Sequence, residues 1–298
     1  MSKTSDEVRE MFAKGDLIRD AGLTTPDDVI RYNDIQYGED TKWQSLDLYR
    51  PKKADGDVLP VIVSVHGGGW VYGDKECYQY YCMSLAKRGF AVVNFTYRLA
   101  PEFKFPAAIE DSNLVFTWVL NHGKEYGLDT GNIFGVGDSA GAHQLSVYAA
   151  ILTNQNYAAI FPFTVPKNLS LKAIALNCGQ YEVKFQAGSD ELTERLMQDY
   201  LPEGGTKEEL NLISVSNHIT SAFPPVFLMT APGDFLIHQP AILTAKLMDC
   251  KVPFVYRFYV SEECELGHVF HCNIKLPEAE ECNDDECDFF RKYIEAEK

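Results

Sequence analysis

The chain has 298 residues, 46% of them hydrophobic, and a formal net charge of −16. That length accommodates one large α/β domain with a sizeable core. The acidic balance argues against nucleic acid as a partner and against docking on anionic lipid, because phosphate groups would be repelled.

From Met1 to Glu7 the sequence is polar and lacks the apolar region of a secretory signal, so the expected location is the cytoplasm. No uninterrupted apolar run is long enough to span a bilayer, so no membrane partner is expected. Residues 1–30 read as a polar, mostly helical segment outside a minimal core. A strand pair at 34–37 and 46–49 flanks the turn-like Gly38-Glu39-Asp40 and predicts an antiparallel edge hairpin. A short β-branched strand at 61–65 then runs into His66-Gly67-Gly68-Gly69-Trp70. Glycines allow such a loop to approach a substrate oxygen closely, which makes Gly68 and Gly69 candidate oxyanion donors through their N–H groups. The loop lacks the spacing of phosphate-cradling motifs. His66 reads as an anchor for the loop rather than a proton carrier.

A helix at 76–87, a strand at 91–96 and a helix at 106–120 follow. The strand at 133–137 ends in Gly137-Asp138-Ser139-Ala140-Gly141, a G-x-S-x-G elbow that leads into a helix at 140–152. Ser139 is the candidate nucleophile and Ala140 N–H a third oxyanion donor. A serine hydroxyl is a weak nucleophile at neutral pH, so it needs a base and a group that orients the base. A strand at 172–177 precedes residues 181–221, an insertion with an amphipathic stretch and the breaker Pro202-Glu203-Gly204-Gly205. With residues 1–30 it is expected to form a small cap over the carboxyl edge of the sheet, so that residues 1–298 make a single domain.

The strand at 226–230 leads to Asp234, the candidate acid; Asp249 is its rival, late in a helix predicted at 236–247. The strand at 253–260 leads to His268, the candidate base, beside the flexible Gly267. His271 stays open as an alternative. A last helix is predicted at 286–293. His122, His143, His218 and His238 carry structural readings. Alternation of β-branched strands with helices implies an α/β fold, a mostly parallel sheet with helices on both faces. Trp70, Tyr72 and Tyr181 are candidates for a substrate pocket, although such aromatic residues more often pack a core. Eight cysteines without an export signal predict free thiols, and the four nearest the C-terminus lack paired zinc-site spacing, so no metal is expected.

Beyond the two glycine motifs, Tyr97-Arg98-Leu99-Ala100-Pro101-Glu102 and Phe105-Pro106-Ala107-Ala108, with Glu110-Asp111, complete a pattern over residues 59–270. This pattern resembles the hormone-sensitive-lipase-like family of α/β-hydrolases, the bacterial acetyl esterase and carboxylesterase group. The resemblance implies an α/β-hydrolase fold with an eight-stranded sheet and no cofactor. It also implies an acyl-enzyme mechanism carried by Ser139, Asp234 and His268, with Gly68, Gly69 and Ala140 as the oxyanion hole. The expected function is a serine carboxylesterase acting on small-molecule, short-chain acyl esters, including those of acylated carbohydrates. A formamidase or other amidase is the alternative, because the same triad cleaves amides; a non-catalytic receptor on this fold would have lost a triad residue. A homo-oligomer would be unsurprising, but no motif requires one.

Overall fold

The computed structural model describes residues 2–185 and 191–295. Residues 1 and 186–190 of the expected cap lie outside the described set.

Helix α1 (Lys3–Asp20) comes first, then β1 (Val29–Gln36) and β2 (Ser45–Pro51). Strand β1 therefore claims the end of the segment that composition assigned to a helical cap: Val29 and Ile30 pair with Pro51 and Arg50. The strand is longer than predicted because an irregularity between Tyr32 and Ile35 interrupts its alternation, and Asp34 there has φ 56°. Next follow β3 (Leu59–Val65), α2 (Lys75–Lys87), β4 (Ala91–Phe95), α3 (Ala107–Tyr126), β5 (Leu128–Asp138) and α4 (Ala140–Thr153). The Asp74 carboxylate caps α2 by accepting from Cys77 N–H at 3.0 Å. A short α5 (Gln155–Ala158) and β6 (Leu171–Asn177) lead to α6 (Glu191–Tyr200) and α7 (Lys207–Ile213). The latter begins with a capping box between Thr206 and Glu209. Strand β7 (Val226–Thr230), α8 (Gln239–Asp249), β8 (Phe254–Phe258) and α9 (Pro277–Arg291) complete the chain. Helix α9 starts nine residues before the predicted 286–293, with Pro277 in its first turn. Its Glu-rich start hides an inward face of Ala279, Cys282 and Asn283.

The eight strands form one sheet in the order β1-β2-β4-β3-β5-β6-β7-β8. The β1–β2 and β2–β4 pairs are antiparallel and the rest parallel. Side chains alternate between faces, so Val61, Val63 and Val65 join one buried cluster while Ile62 joins the other. Helices α3, α4 and α8 cover the first face, and α2 and α9 the second. The α/β-hydrolase fold follows from this topology.

All eight cysteines are free. Cys282 and Cys287 are fully buried against Phe289 and Phe290, and pack as small apolar groups. No helix among the described residues is long and apolar enough to cross a membrane.

Candidate active site

Strands β3 and β5 run side by side in the sheet centre, with Val65 opposite Gly137. The glycine loop after β3 and the elbow after β5 therefore leave the sheet at the same level. At the elbow Ser139 takes φ 52° and ψ −120°, a strained conformation that lifts its side chain off the strand–helix turn. Its N–H donates to Asn177 C=O at 2.9 Å, which fixes the turn to β6. Gly141 must be glycine here, because a Cβ would stand 2.0 Å from Val65 C=O.

On the loop, Gly68 has φ 121° and a Cβ there would lie 2.1 Å from Tyr72 C=O. Its own carbonyl accepts from Val71 and Tyr72 N–H, closing a tight turn. Among the described residues, none takes a hydrogen bond from the N–H of Gly68, Gly69 or Ala140. The three backbone donors expected to hold an oxyanion are thus left without a protein partner among these residues. His66 is fully buried, its Nδ1 lies 2.7 Å from Gly67 C=O, and its ring stacks on Tyr97 with centroids 4.0 Å apart. Burial lowers its imidazole to about 4, so it stays neutral.

Asp234 sits in the loop after β7, and its Oδ1 is 2.6 Å from His268 Nδ1. Two further donors hold the carboxylate: Thr230 Oγ1 to Oδ2 at 2.5 Å and Leu236 N–H to Oδ1 at 2.9 Å. Burial alone would raise this carboxyl, but the His268 bond and charge, with these donors, bring it below its ordinary value. Nε2 of His268, the nitrogen that would face a substrate, is buried and unpartnered. The Phe235 ring leans on the imidazole with centroids 4.1 Å apart.

Of the rivals, Asp249 is exposed at the end of α8. His271 is fully buried beside Tyr81 and Cys272, and burial lowers it to about 3. His143 is also buried: Nδ1 accepts from Trp70 Nε1 at 3.1 Å, and Nε2 donates to Ile213 C=O at 2.9 Å.

A cavity of about 680 Å³ opens on Ser139, His268, Gly67 and Gly68. Its far side comes from α1, through Met11, Phe12, Asp16 and Arg19, and Tyr72, Phe235 and Asn273 add to the lining. Of the three aromatic pocket candidates, Tyr72 lines this cavity and Trp70 and Tyr181 do not. Trp70, with φ 64°, turns its indole away to His143 and stacks on Tyr200 at 5.2 Å. Tyr181 is fully buried and donates to Leu176 C=O at 3.1 Å. Sequence reasoning missed Thr230, although it stands four residues before the acid at the strand end. It also missed Asp16, Arg19 and Asn273, which carry no motif.

Two clusters bring metal-type ligand atoms within 4.8 Å of each other: Asp138, His271 and Cys272, and Cys178, Asp234 and His268. Burial pushes both thiols well above their ordinary value, opposing the thiolate that a metal requires. The carboxylates are already engaged by Tyr78 and by His268.

The sequence profile of the BD-FAE family matches residues 46–247, which takes in the glycine loop, the elbow and Asp234. An esterase of Gibberella moniliformis is 30% identical over 204 residues, covering 65% of this chain and 63% of that protein. Esterase LipQ of Mycobacterium tuberculosis is 28% identical over 73% of this chain and 52% of its own length. The chain therefore spans less than two thirds of either relative. Among solved structures, esterase B of Lactobacillus rhamnosis superposes with a TM-score of 0.88 at 25% identity, covering 98% of this chain and 97% of that one. An esterase of Pyrobaculum calidifontis gives 0.77 at 26% identity, over 98% and 94% of the two chains. With the profile spanning most of the sheet and both motifs, this chain belongs to the BD-FAE family, among the hormone-sensitive-lipase-like α/β-hydrolases.

Proposed function

We propose that the protein is a serine carboxylesterase acting on short-chain acyl esters. The observation that carries this reading is the 2.6 Å His268–Asp234 pair opening on the same cavity as Ser139, beside unclaimed backbone donors. Ser139 Oγ attacks the ester carbonyl while His268 Nε2 takes its proton, and Asp234 orients the imidazole and stabilises its cationic form. The oxyanion rests on the N–H groups of Gly68, Gly69 and Ala140. His268 then returns the proton to the leaving alcohol, and the carbonyl re-forms as an acyl-serine ester. Water, deprotonated by His268, attacks that ester, and Ser139 leaves with the proton as the carboxylic acid departs.

The short-chain preference is supported by the lining. Asp16, Arg19, Tyr72 and Asn273 share the cavity with Met11, Phe12 and Phe235, so a long alkyl chain would desolvate the Arg19–Asp16 ion pair and the Tyr72 hydroxyl bound to it, and cover the unpartnered Asn273 Oδ1. Asn273 Oδ1 is buried with no partner, which suits a substrate hydroxyl such as that of an acylated carbohydrate. Esterase B of Lactobacillus rhamnosis, which shares the architecture, is known inhibited by a C4–C4 tributyrin phosphonate. We assign residues 2–20 and 191–213 to a cap; Ser5 Oγ donates to Asp199 Oδ2 at 2.5 Å between them.

The test is hydrolysis of p-nitrophenyl esters from acetate to palmitate, beside acetylated xylo-oligosaccharides and N-formylkynurenine, with Ser139→Ala as control. Fast acetate or butyrate cleavage, lost in the variant, is the expected result. Palmitate cleaved faster than acetate would overturn the chain-length assignment. Turnover of N-formylkynurenine without ester cleavage would make the protein an amidase.

A further inference from the structure

The three oxyanion donors come from two separate pieces of chain, the loop after β3 and the elbow after β5. Whatever ties those pieces together sets the width of the hole. Parallel pairing ends at Val65 and Gly137, so beyond the sheet the tie must come from side chains.

Two tyrosine hydroxyls supply it. On one flank Gly67 N–H donates to Tyr78 OH at 3.0 Å, and that hydroxyl donates to Asp138 Oδ2 at 2.7 Å. On the other, Gln144 Nε2 donates to Tyr97 OH at 2.9 Å, and that hydroxyl donates to His66 C=O at 2.7 Å. Each phenol thus joins a residue just ahead of Gly68 to a residue close to Ser139, one immediately before it and one on the first turns of α4. Tyr78, Tyr97, His66, Asp138 and Gln144 are all buried. The His66 ring lies between the phenols, 4.0 Å from Tyr97 and 5.7 Å from Tyr78 between centroids, and keeps them apart. A Cβ on Gly67 would meet Asp138 Oδ2 at 2.6 Å and Tyr78 OH at 2.9 Å, so this approach leaves no slack.

We infer that Tyr78 and Tyr97 are positioning residues that hold the loop donors and Ala140 N–H at the separation a tetrahedral oxyanion requires. This rests on the serine esterase reading above. A phenol suits the task because its one O–H both accepts and donates, on a rigid ring with few torsions to freeze. Phenylalanine at 78 would leave Gly67 N–H and Asp138 without each other's relay; at 97 it would strand Gln144 and the His66 carbonyl. The loop would then relax by a fraction of an ångström. Ester binding would tolerate that shift, whereas the oxyanion, whose stabilisation depends on donor placement, would not.

The experiment is Tyr78→Phe, Tyr97→Phe and the double variant, assayed on p-nitrophenyl butyrate. Active sites are titrated with a phosphonate so that kcat refers to competent enzyme, and fold is checked by circular dichroism. Affinity for a trifluoromethyl ketone, which adds the serine to form a bound oxyanion, is measured in parallel. Each single variant is expected to lose kcat by roughly 10- to 100-fold, with KM within about twofold and a matching loss of ketone affinity. Should Tyr97→Phe fail to fold, Gln144→Met cuts the same relay and is expected to shift kcat and ketone affinity in the same direction. Folded variants with wild-type kcat and ketone affinity would overturn the inference, as would a loss confined to KM. Absence of Ser139-dependent turnover in the wild type would instead overturn the esterase reading, and the inference with it.

Discussion

Glu286 offers a stability test that is independent of catalysis. It is fully buried on α9, and its carboxyl oxygens accept from Tyr81 OH and Asn177 Nδ2, each at 2.8 Å. Burial pushes this carboxyl up from 4.5 to about 7, the two hydrogen bonds opposing the rise only in part. Because the folded pKa lies above the unfolded one, the stabilising contribution is complete below 4.5 and is lost as pH climbs to about 7. Between pH 5 and 8 that loss amounts to roughly 2–3 kcal/mol, which for a chain of this size lowers Tm by about 4 °C. Glu286→Gln does not titrate, and its amide can still meet Tyr81 OH and the unpartnered Asn177 Oδ1. Thermal unfolding of both proteins at pH 5, 6, 7 and 8, at fixed ionic strength, reads the difference. Wild-type Tm should fall relative to the variant across that range. Parallel Tm curves would refute the reasoning, since they would mean that Glu286 holds the same charge folded and unfolded.

Other perturbations probe the site directly. Ser139→Ala should reduce kcat at least ~10⁴-fold while leaving the fold intact. Ser139→Gly should match it in inactivity yet be about 1 kcal/mol more stable, since φ 52° suits glycine; equal melting of the two variants would argue against strain. Asp234→Asn should cost ~10³–10⁴ in kcat by removing the negative charge that fixes the His268 tautomer and stabilises its cationic form, and Thr230→Val, which removes one donor to that carboxylate, roughly tenfold. Steady-state kinetics of the two should rank in that order; the reverse ranking would displace Asp234 as the acid. Gly68→Ala places a methyl against Tyr72 C=O and should lower kcat by ~10²–10³ in pre-steady-state acylation, whereas an unchanged burst rate would remove Gly68 from the oxyanion hole.

The central strands were legible because β-branched runs bounded by glycine have few alternative conformations; β7 has the bounds expected of it. The sequence pointed to Ser139, Asp234 and His268 because each lies in a local motif after a strand: Ser139 directly after β5, Asp234 four residues past β7 and His268 ten past β8. The lining supplied by α1 was not. Asp16 and Arg19 sit in a polar helix of no special pattern, and only the tertiary fold carries them to a serine more than a hundred residues away. Trp70 and Tyr181 misled for a related reason: position beside a motif fixes where the backbone goes, but not which way a side chain turns once φ is positive or a core site lies open. Helix α9 was cut short because its first turn is acidic outside, and its buried positions are filled by Ala279, Cys282 and Asn283 rather than by large apolar residues.

The register that sets Val65 opposite Gly137 divides the molecule into a part that must be inherited whole and parts that can drift. The strands that carry loop and elbow are held in step by the central ladder, so an insertion in β3 or β5 would dismantle the chemistry at once. The walls of the cavity hang from α1 and from residues 264–276, beyond that ladder. With His268 itself kept, mutations there can accumulate without moving the nucleophile, which makes α1 and the residues on either side of His268 the natural place to diversify a library aimed at new leaving groups.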